Sequence, residues 1–268
     1  MRRVRGFLTA AALTCIALVP YAGSAAENSY AASVVTLLSR PPPAMRFGAP
    51  LEADLLLRLN DLRVTKRLPV LRDRPTLKLA ARAHSLRMLR DNFFAHKDPS
   101  QGQVGDRVAA VDRVGLYRTV GENLAQISPA LPDLGPRMHR GWVQSPGHYR
   151  NMINRDYDHV GIGCVRYRDA TACTQVFGGL AAELAKPVPL VMRRNQSVLL
   201  QPNFADLTYD GWQLVDSRGR RRAHSATRHF QSQLGLHGDY QLQVLGAKRV
   251  SARRQIISNF CGPAVILE

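Results

Sequence analysis

The chain lacks any uninterrupted apolar run of the ~18 residues that a bilayer-spanning helix needs, which excludes a polytopic membrane protein. Cysteine is scarce: four among 268 residues, too few for a scaffold built on disulfides. Acid is scarce too, with 20 Asp+Glu against 37 Lys+Arg and a net charge of +17. Such a balance says nothing about fold, but it favours acidic partners or anionic surfaces. Also missing are the Gly-x-Ser-x-Gly elbow, the phosphate-binding loop, the dinucleotide fingerprint and the His-Glu-x-x-His helix. No internal repeat is present. What is there, 45% hydrophobic and 21% charged residues with 20 Gly and 16 Pro, is ordinary for a globular protein. It excludes a coiled coil, a collagen-like fibre and a wholly disordered chain.

The N-terminus reads as a secretory signal peptide over residues 1–26. Arg2, Arg3 and Arg5 precede an uncharged apolar stretch from Phe7 to Val19, and the small residues Ala22 to Ala26 follow Pro20. Export places the protein outside the cell or in the periplasm, where thiols oxidise. Cys164 and Cys173 flank the short polar segment 165–172 and are expected to pair. Cys261 is left as a free buried thiol, an intermolecular bridge, or the partner of one of the other two.

Residues 27–48, with Pro41-Pro42-Pro43, read as an exposed linker. Leu51, Leu55, Leu59 and Leu62 then recur at helical spacing, and a second helix is expected from Pro75 to about Asn92. Shorter helices are expected at 106–114 and 134–142. Val160–Tyr167 and Cys173–Phe177 have strand composition and suit a hairpin. The segment 49–182 is therefore one mixed helix–strand domain. The tail, 183–268, carries short β-type runs separated by Gly, Asp and Asn. Between Gln213 and Ile256 nine Arg and Lys residues face only Asp216 and Asp239.

Four local patterns carry the chemistry: Phe93-Phe94-Ala95-His96; Gly121-Glu122-Asn123-Leu124-Ala125; Trp142 with Ser145-Pro146-Gly147-His148 and Asn151; and Gly161-Ile162-Gly163-Cys164 followed by Thr174-Gln175-Val176-Phe177-Gly178. Two imidazoles and a carboxylate suit a divalent cation of zinc type, or acid–base work near neutral pH. Spacing alone does not bring them together. His84 and His139 read as ordinary helix residues, and Asn123 as a residue that ties backbone.

Together and in this order, with Leu59, Asn60 and Arg63 in the first helix, these motifs resemble the CAP superfamily, which includes cysteine-rich secretory and pathogenesis-related proteins, and within it the bacterial SCP-like branch. The resemblance covers about residues 51–180. It implies an α+β fold, an α-β-α sandwich with a central antiparallel sheet and an open cleft, to which the sequence adds a smaller β-rich C-terminal domain. It implies a ligand-binding cleft at His96, Glu122, Ser145 and His148, with His96, Glu122 and His148 as metal ligands. The family's second glutamate falls at Ser145, whose neutral hydroxyl weakens the case for tight metal binding.

The expectation is an exported CAP-domain protein whose cleft takes a small-molecule, lipid or peptide ligand or a weak divalent cation such as Zn²⁺. The Arg-rich tail would meet an anionic envelope surface. The alternative is a metal-assisted hydrolase, such as a protease, using the same cleft. Ser145 has no identifiable Asp orienter, which leaves a serine-hydrolase triad unsupported. Nucleic acid is disfavoured by export and by the absence of interleaved aromatics around Arg218–Arg222.

Overall fold

The computed structural model describes residues 29–129, 132–232, 235–251 and 254–268; the expected signal peptide lies outside them. In chain order the first half holds α1 (Tyr30–Ser39), β1 (Arg46–Phe47), α2 (Ala49–Thr65), β2 (Arg72–Asp73), α3 (Pro75–Arg90), α4 (Val104–Val111), β3 (Gly115–Ile127), α5 (Leu134–Gln144), α6 (Pro146–Met152), β4 (His159–Tyr167) and β5 (Ala170–Glu183). The second half is all strand: β6 (Val191–Met192), β7 (Ser197–Leu199), β8 (Thr208–Val215), β9 (Arg221–Ser225), β10 (His229–Gln231), β11 (Gly238–Ser251) and β12 (Arg254–Leu267).

Most of these strands join one large sheet in the order β1-β4-β5-β3-β12-β11-β8-β9. Its pairings are antiparallel except where the short β2 and β6 lie parallel to β4 and β12. A smaller two-stranded sheet pairs β7 with β10. Helices cover both faces of the first half, as the alternation along β5 shows. Phe177 packs with Leu55 and Leu59 of α2, Met138 and Trp142 of α5 and Met152 of α6. Its neighbour Val176 packs on the other face with Leu77, Ala80 and Ala81 of α3 and Val108 of α4. The α-β-α sandwich is therefore present.

The two glycines of Gly161-Ile162-Gly163 explain how α3 sits so close to β4. A Cβ on Gly161 would lie 2.0 Å from the Lys78 backbone nitrogen, and one on Gly163 2.2 Å from that of Arg82. The helix backbone thus rests directly on the strand at positions only glycine can fill. On the opposite face, Val160, Ile162 and Cys164 build the core under α2.

Cys164 and Cys173 sit directly opposite each other on β4 and β5 and are bridged. Their Cα atoms are 4.1 Å apart, a little closer than the ~4.4–6.8 Å usual for bridged cysteines. The cause is the register. The Cys164 N–H donates to Glu52 and its carbonyl accepts from Gly48, so this is a non-hydrogen-bonded pair, where opposed Cα atoms approach to about 4.5 Å. Cys261 joins neither, and no described cysteine is free. Replacing both bridged cysteines with Ala is expected to lower stability by about 2–3 kcal/mol, the loop-closure entropy of so short a ring. Urea unfolding checks this: an unchanged midpoint would mean that the bridge does not constrain the unfolded chain.

The expected linker 27–48 needs correction over 30–39, which form α1. Ser29 caps that helix, its Oγ accepting from the Ala32 N–H at 3.1 Å, and Ala31, Val34 and Leu37 are buried. Ala31 and Val34 pack against Ala83, Ala109, Ala110 and Ala264. Small residues let the helices approach, and a composition of Ser and Ala conceals the stripe that does it. The proline run beginning at Pro41 follows the helix end, as its missing N–H dictates.

The β-rich tail is also there, and its long strands continue the sheet of the first half. β12 meets β3 at Cys261–Tyr117, and Leu116, Ala182 and Leu184 share one core with Trp212, Leu214, Phe230, Leu242 and Val244.

Candidate functional site

β12 pairs with β3 only at Tyr117. The stretch of β3 carrying Glu122 therefore has β5 on one side and, among the described residues, no strand on the other. That open edge is closed by side chains. Asn151 Nδ2 donates to the Glu122 carbonyl at 3.1 Å, and Trp142 Nε1 donates to the Leu124 carbonyl at 2.8 Å. Residues 122 and 124 point their carbonyls to the same side of the strand, so two residues of the 142–151 motif satisfy successive acceptors that a neighbouring strand would otherwise take.

Glu122 and Asn123 then face opposite sides of β3. Asn123 ties α6 down: its Nδ2 donates to the His148 carbonyl at 3.1 Å and to Gln175 Oε1 at 3.1 Å, while its Oδ1 accepts from Asn151 Nδ2 at 2.9 Å. This is the backbone-tying role expected of it. Glu122 turns toward α3 and α4. Its Oε1 accepts from His96 Nδ1–H at 2.9 Å, and its Oε2 accepts from Arg107 Nη2 at 2.6 Å. The Arg107 and Glu122 side chains are 0% and 3% exposed, whereas His96 is 55% exposed. The carboxylate is thus a buried post that orients an imidazole reaching solvent. A carboxylate only accepts, so the proton on Nδ1 is fixed and Nε2 is the ring atom left for a ligand.

Burial is the largest influence on Glu122 and opposes its charge. Arg107, His84 and the hydrogen bond from His96 together outweigh burial and hold the carboxyl below the usual range. His84 departs from the expectation of an ordinary helix residue. It is fully buried, donates from Nε2 to the Ala95 carbonyl at 2.9 Å, and lies 3.9 Å from Glu122 Oε1. Burial and the neighbouring Arg107 charge push its pKa down to about 4, so it stays neutral behind the carboxylate. Its Nδ1 and Arg107 Nε have no protein partner; a buried water is the usual way such atoms are satisfied.

His148 sits in the first turn of the short α6, half-buried. Burial lowers its pKa, and the charge of His96 lowers it further, which places the two rings within reach of each other's field. Ser145 ends α5 and begins α6, three residues before His148. His139 lies on α5, held low first by burial and then by Arg58. Asn60 and Arg63 hold the frame. Asn60 exchanges two hydrogen bonds with the backbone of Leu71, and Arg63 donates to the carbonyls of Pro69, Met152 and Asn154.

The donor set fits a divalent cation poorly as it stands. Both Glu122 oxygens are engaged, one by a buried cation. Among the described residues no group of three or more His, Cys, Asp and Glu side chains is placed to hold a metal ion. Sequence reasoning missed Arg107 and His84. The available signal was an arginine on the inward stripe of α4, between the buried Val104 and Val108.

Residues 56–177 match the family model described as CAP, the cysteine-rich secretory protein family. Two Bacillus subtilis (strain 168) proteins are similar in sequence. The uncharacterized protein YkwD is 33% identical over 105 residues, 39% of this chain and 37% of that protein. The uncharacterized membrane protein YlbC is 35% identical over 118 residues, 43% of this chain and 32% of that protein. The chain thus spans about a third of the length of these relatives. Among solved structures, an extracellular SCP-domain protein from Bacillus anthracis str. Ames is 29% identical, with a TM-score of 0.42 over 48% of this chain and 40% of that one. The matched segment holds the ordered motifs, the two-faced sandwich and the Glu122 edge described above: the chain carries a CAP superfamily domain of the bacterial type.

Proposed function

We propose that this is an exported CAP-domain protein whose cleft, bordered by His96, Glu122, Ser145 and His148, binds a small-molecule, lipid or peptide ligand outside the cell or at its envelope. The observation that carries this reading is His96: an exposed ring on a loop, held at Nδ1 by the buried Glu122 carboxylate, a preorganised contact. The printed description of the Bacillus anthracis protein as extracellular supports export, as does the Cys164–Cys173 bridge. No described helix is long and apolar enough to cross a membrane. A metal-assisted hydrolase is less well supported, because Glu122 is engaged on both oxygens. Peptide hydrolysis by the purified protein, with and without Zn²⁺ and beside His148→Ala, tests the choice. The binding reading expects no cleavage that depends on His148; cleavage needing both His148 and Zn²⁺ would replace it with the hydrolase.

The tail is the second contact in this reading. Arg218, Arg220, Arg221, Arg222, Arg228, Lys248, Arg249 and Arg254 are exposed, and β9, with Arg221 and Arg222, is the last strand of the large sheet, where charge also discourages strand addition. Asp216 takes part of the charge by pairing with Arg220 and Arg222, and Asp206 pairs with Lys248. The tail shares its core with β3 and β5, so the full chain is the object to test. Anionic vesicles should retain it, less so as salt rises past the ~10 Å Debye length at 0.1 M. Retention that ignores salt would remove this part of the reading.

A further inference from the structure

We propose that the far end of the β11–β12 hairpin docks on an anionic lipid bilayer, with Val250 and Ile257 entering the interface and Arg249 and Arg254 meeting its phosphates; this rests on the tail being the contact with an anionic envelope surface. The strand pairing makes that end project. β11 keeps β8 beside it only as far as Ala247–Thr208. On its other side, β12 meets β3 only at Cys261–Tyr117. Beyond these points residues 248–251 and 254–260 pair, among the described residues, with each other alone. Arg249 stands opposite Gln255 and Ser251 opposite Arg254, so Val250 is the extra residue of a bulge. Burial follows the same limits. It stops after Ala247 in β11 and resumes at Phe260 in β12.

Val250 is 52% exposed and Ile257 47%, more than any other large apolar side chain described in the tail. Either alone would be ordinary. Here both lie on one projecting hairpin whose sequence from Ala247 to Asn259 holds no acid. Its one ion pair among the described residues joins Lys248 to Asp206, both more than half exposed, where water screens the attraction. The charges of Arg249 and Arg254 are left for a partner. Aliphatic groups need hydrocarbon and guanidinium groups need phosphate, and the headgroup–acyl boundary of an anionic bilayer supplies both. Residues 248–251 span ~10 Å of extended chain, about the depth of that boundary. An acidic polysaccharide would answer the arginines and leave Val250 and Ile257 in water. A second copy adding to the open edge of β12 would bring two acid-free basic hairpins together.

The test uses the full chain with vesicles of equal parts phosphatidylglycerol and phosphatidylcholine, and in parallel with alginate, an acidic polysaccharide. Val250→Ser with Ile257→Ser, both surface changes, should weaken vesicle binding about tenfold and leave any binding to alginate unchanged. Arg249→Gln with Arg254→Gln should weaken vesicle binding too, roughly fivefold for each arginine. An environment-sensitive dye attached at Val250→Cys should shift to the blue on these vesicles. Vesicle binding that is unchanged in the Val250/Ile257 variant, with no shift of the dye, would overturn the inference and leave the anionic-surface reading standing. Binding to alginate with none to vesicles would do the same. Binding to neither would overturn the inference and that reading together.

Discussion

Arg107→Met is expected to cost about 3–5 kcal/mol of stability, the range for removing one partner of a buried ion pair. The magnitude comes from what is left behind. Glu122 would keep only the His96 hydrogen bond, in a place where burial alone already opposes its charge. The His96 carbonyl would lose its Arg107 donor as well, and the Gly102 carbonyl would keep only the Asp98 N–H. Adding Glu122→Leu to Arg107→Met should recover much of the loss, because an apolar pair of similar volume does not strand a charge. Urea unfolding of the single and double variants reads both effects. A loss under about 1 kcal/mol in the single variant would mean that the pair is open to water, as surface ion pairs are.

Asp112→Ala should be comparably severe, at about 3–4 kcal/mol. Asp112 joins three elements from one buried position. Its Oδ2 accepts from Arg74 Nε at 2.8 Å, Thr76 Oγ1 at 2.8 Å and Tyr117 Oη at 2.6 Å, and its Oδ1 accepts from the Gly115 N–H at 2.8 Å. The start of α3 and the start of β3 are thus pinned to the end of α4. Burial is the largest influence on this carboxyl and acts upward, but Arg74, Tyr117 and Thr76 outweigh it and hold it below its ordinary 3.8. The folded state therefore binds less proton than the unfolded one. The contribution is complete above the ordinary carboxylate value and is lost as pH falls through the lower folded value. Thermal unfolding should separate wild type and variant most at pH 7 and bring them together near pH 2. A gap that persists in acid would place the effect in packing rather than in charge.

Much of the fold could be read from local pattern. The leucine spacing of α2 and the Asp73-Arg74-Pro75 start of α3 each put a helix where one stands, and the polar turn between Cys164 and Cys173 gave the β4–β5 hairpin and its bridge. β3 was not legible. Its central residues, Gly121, Glu122 and Asn123, are poor strand formers, and they are held extended by Asn151 and by pairing with Phe177, Val176 and Gln175. α6, a seven-residue helix, was hidden for a similar reason: it is fixed by Asn123 and by Arg63 from distant parts of the chain. The histidines and glutamate of the candidate site were proposed from their ordered motifs. Arg107 and His84 could not be, because their importance lies in burial against Glu122, which only the packing of α3 and α4 creates.

The central claim is that His96, on a loop, and His148, on α6, face one cleft. The most direct check is the pKa of His148, followed by NMR in wild type and in His96→Asn. Burial and the His96 charge both lower it in the native protein. The account predicts a His148 pKa below 6.5 in wild type that rises when His96 loses its charge, while remaining short of the ordinary value because burial persists. A His148 pKa that is the same in both proteins would contradict a shared cleft.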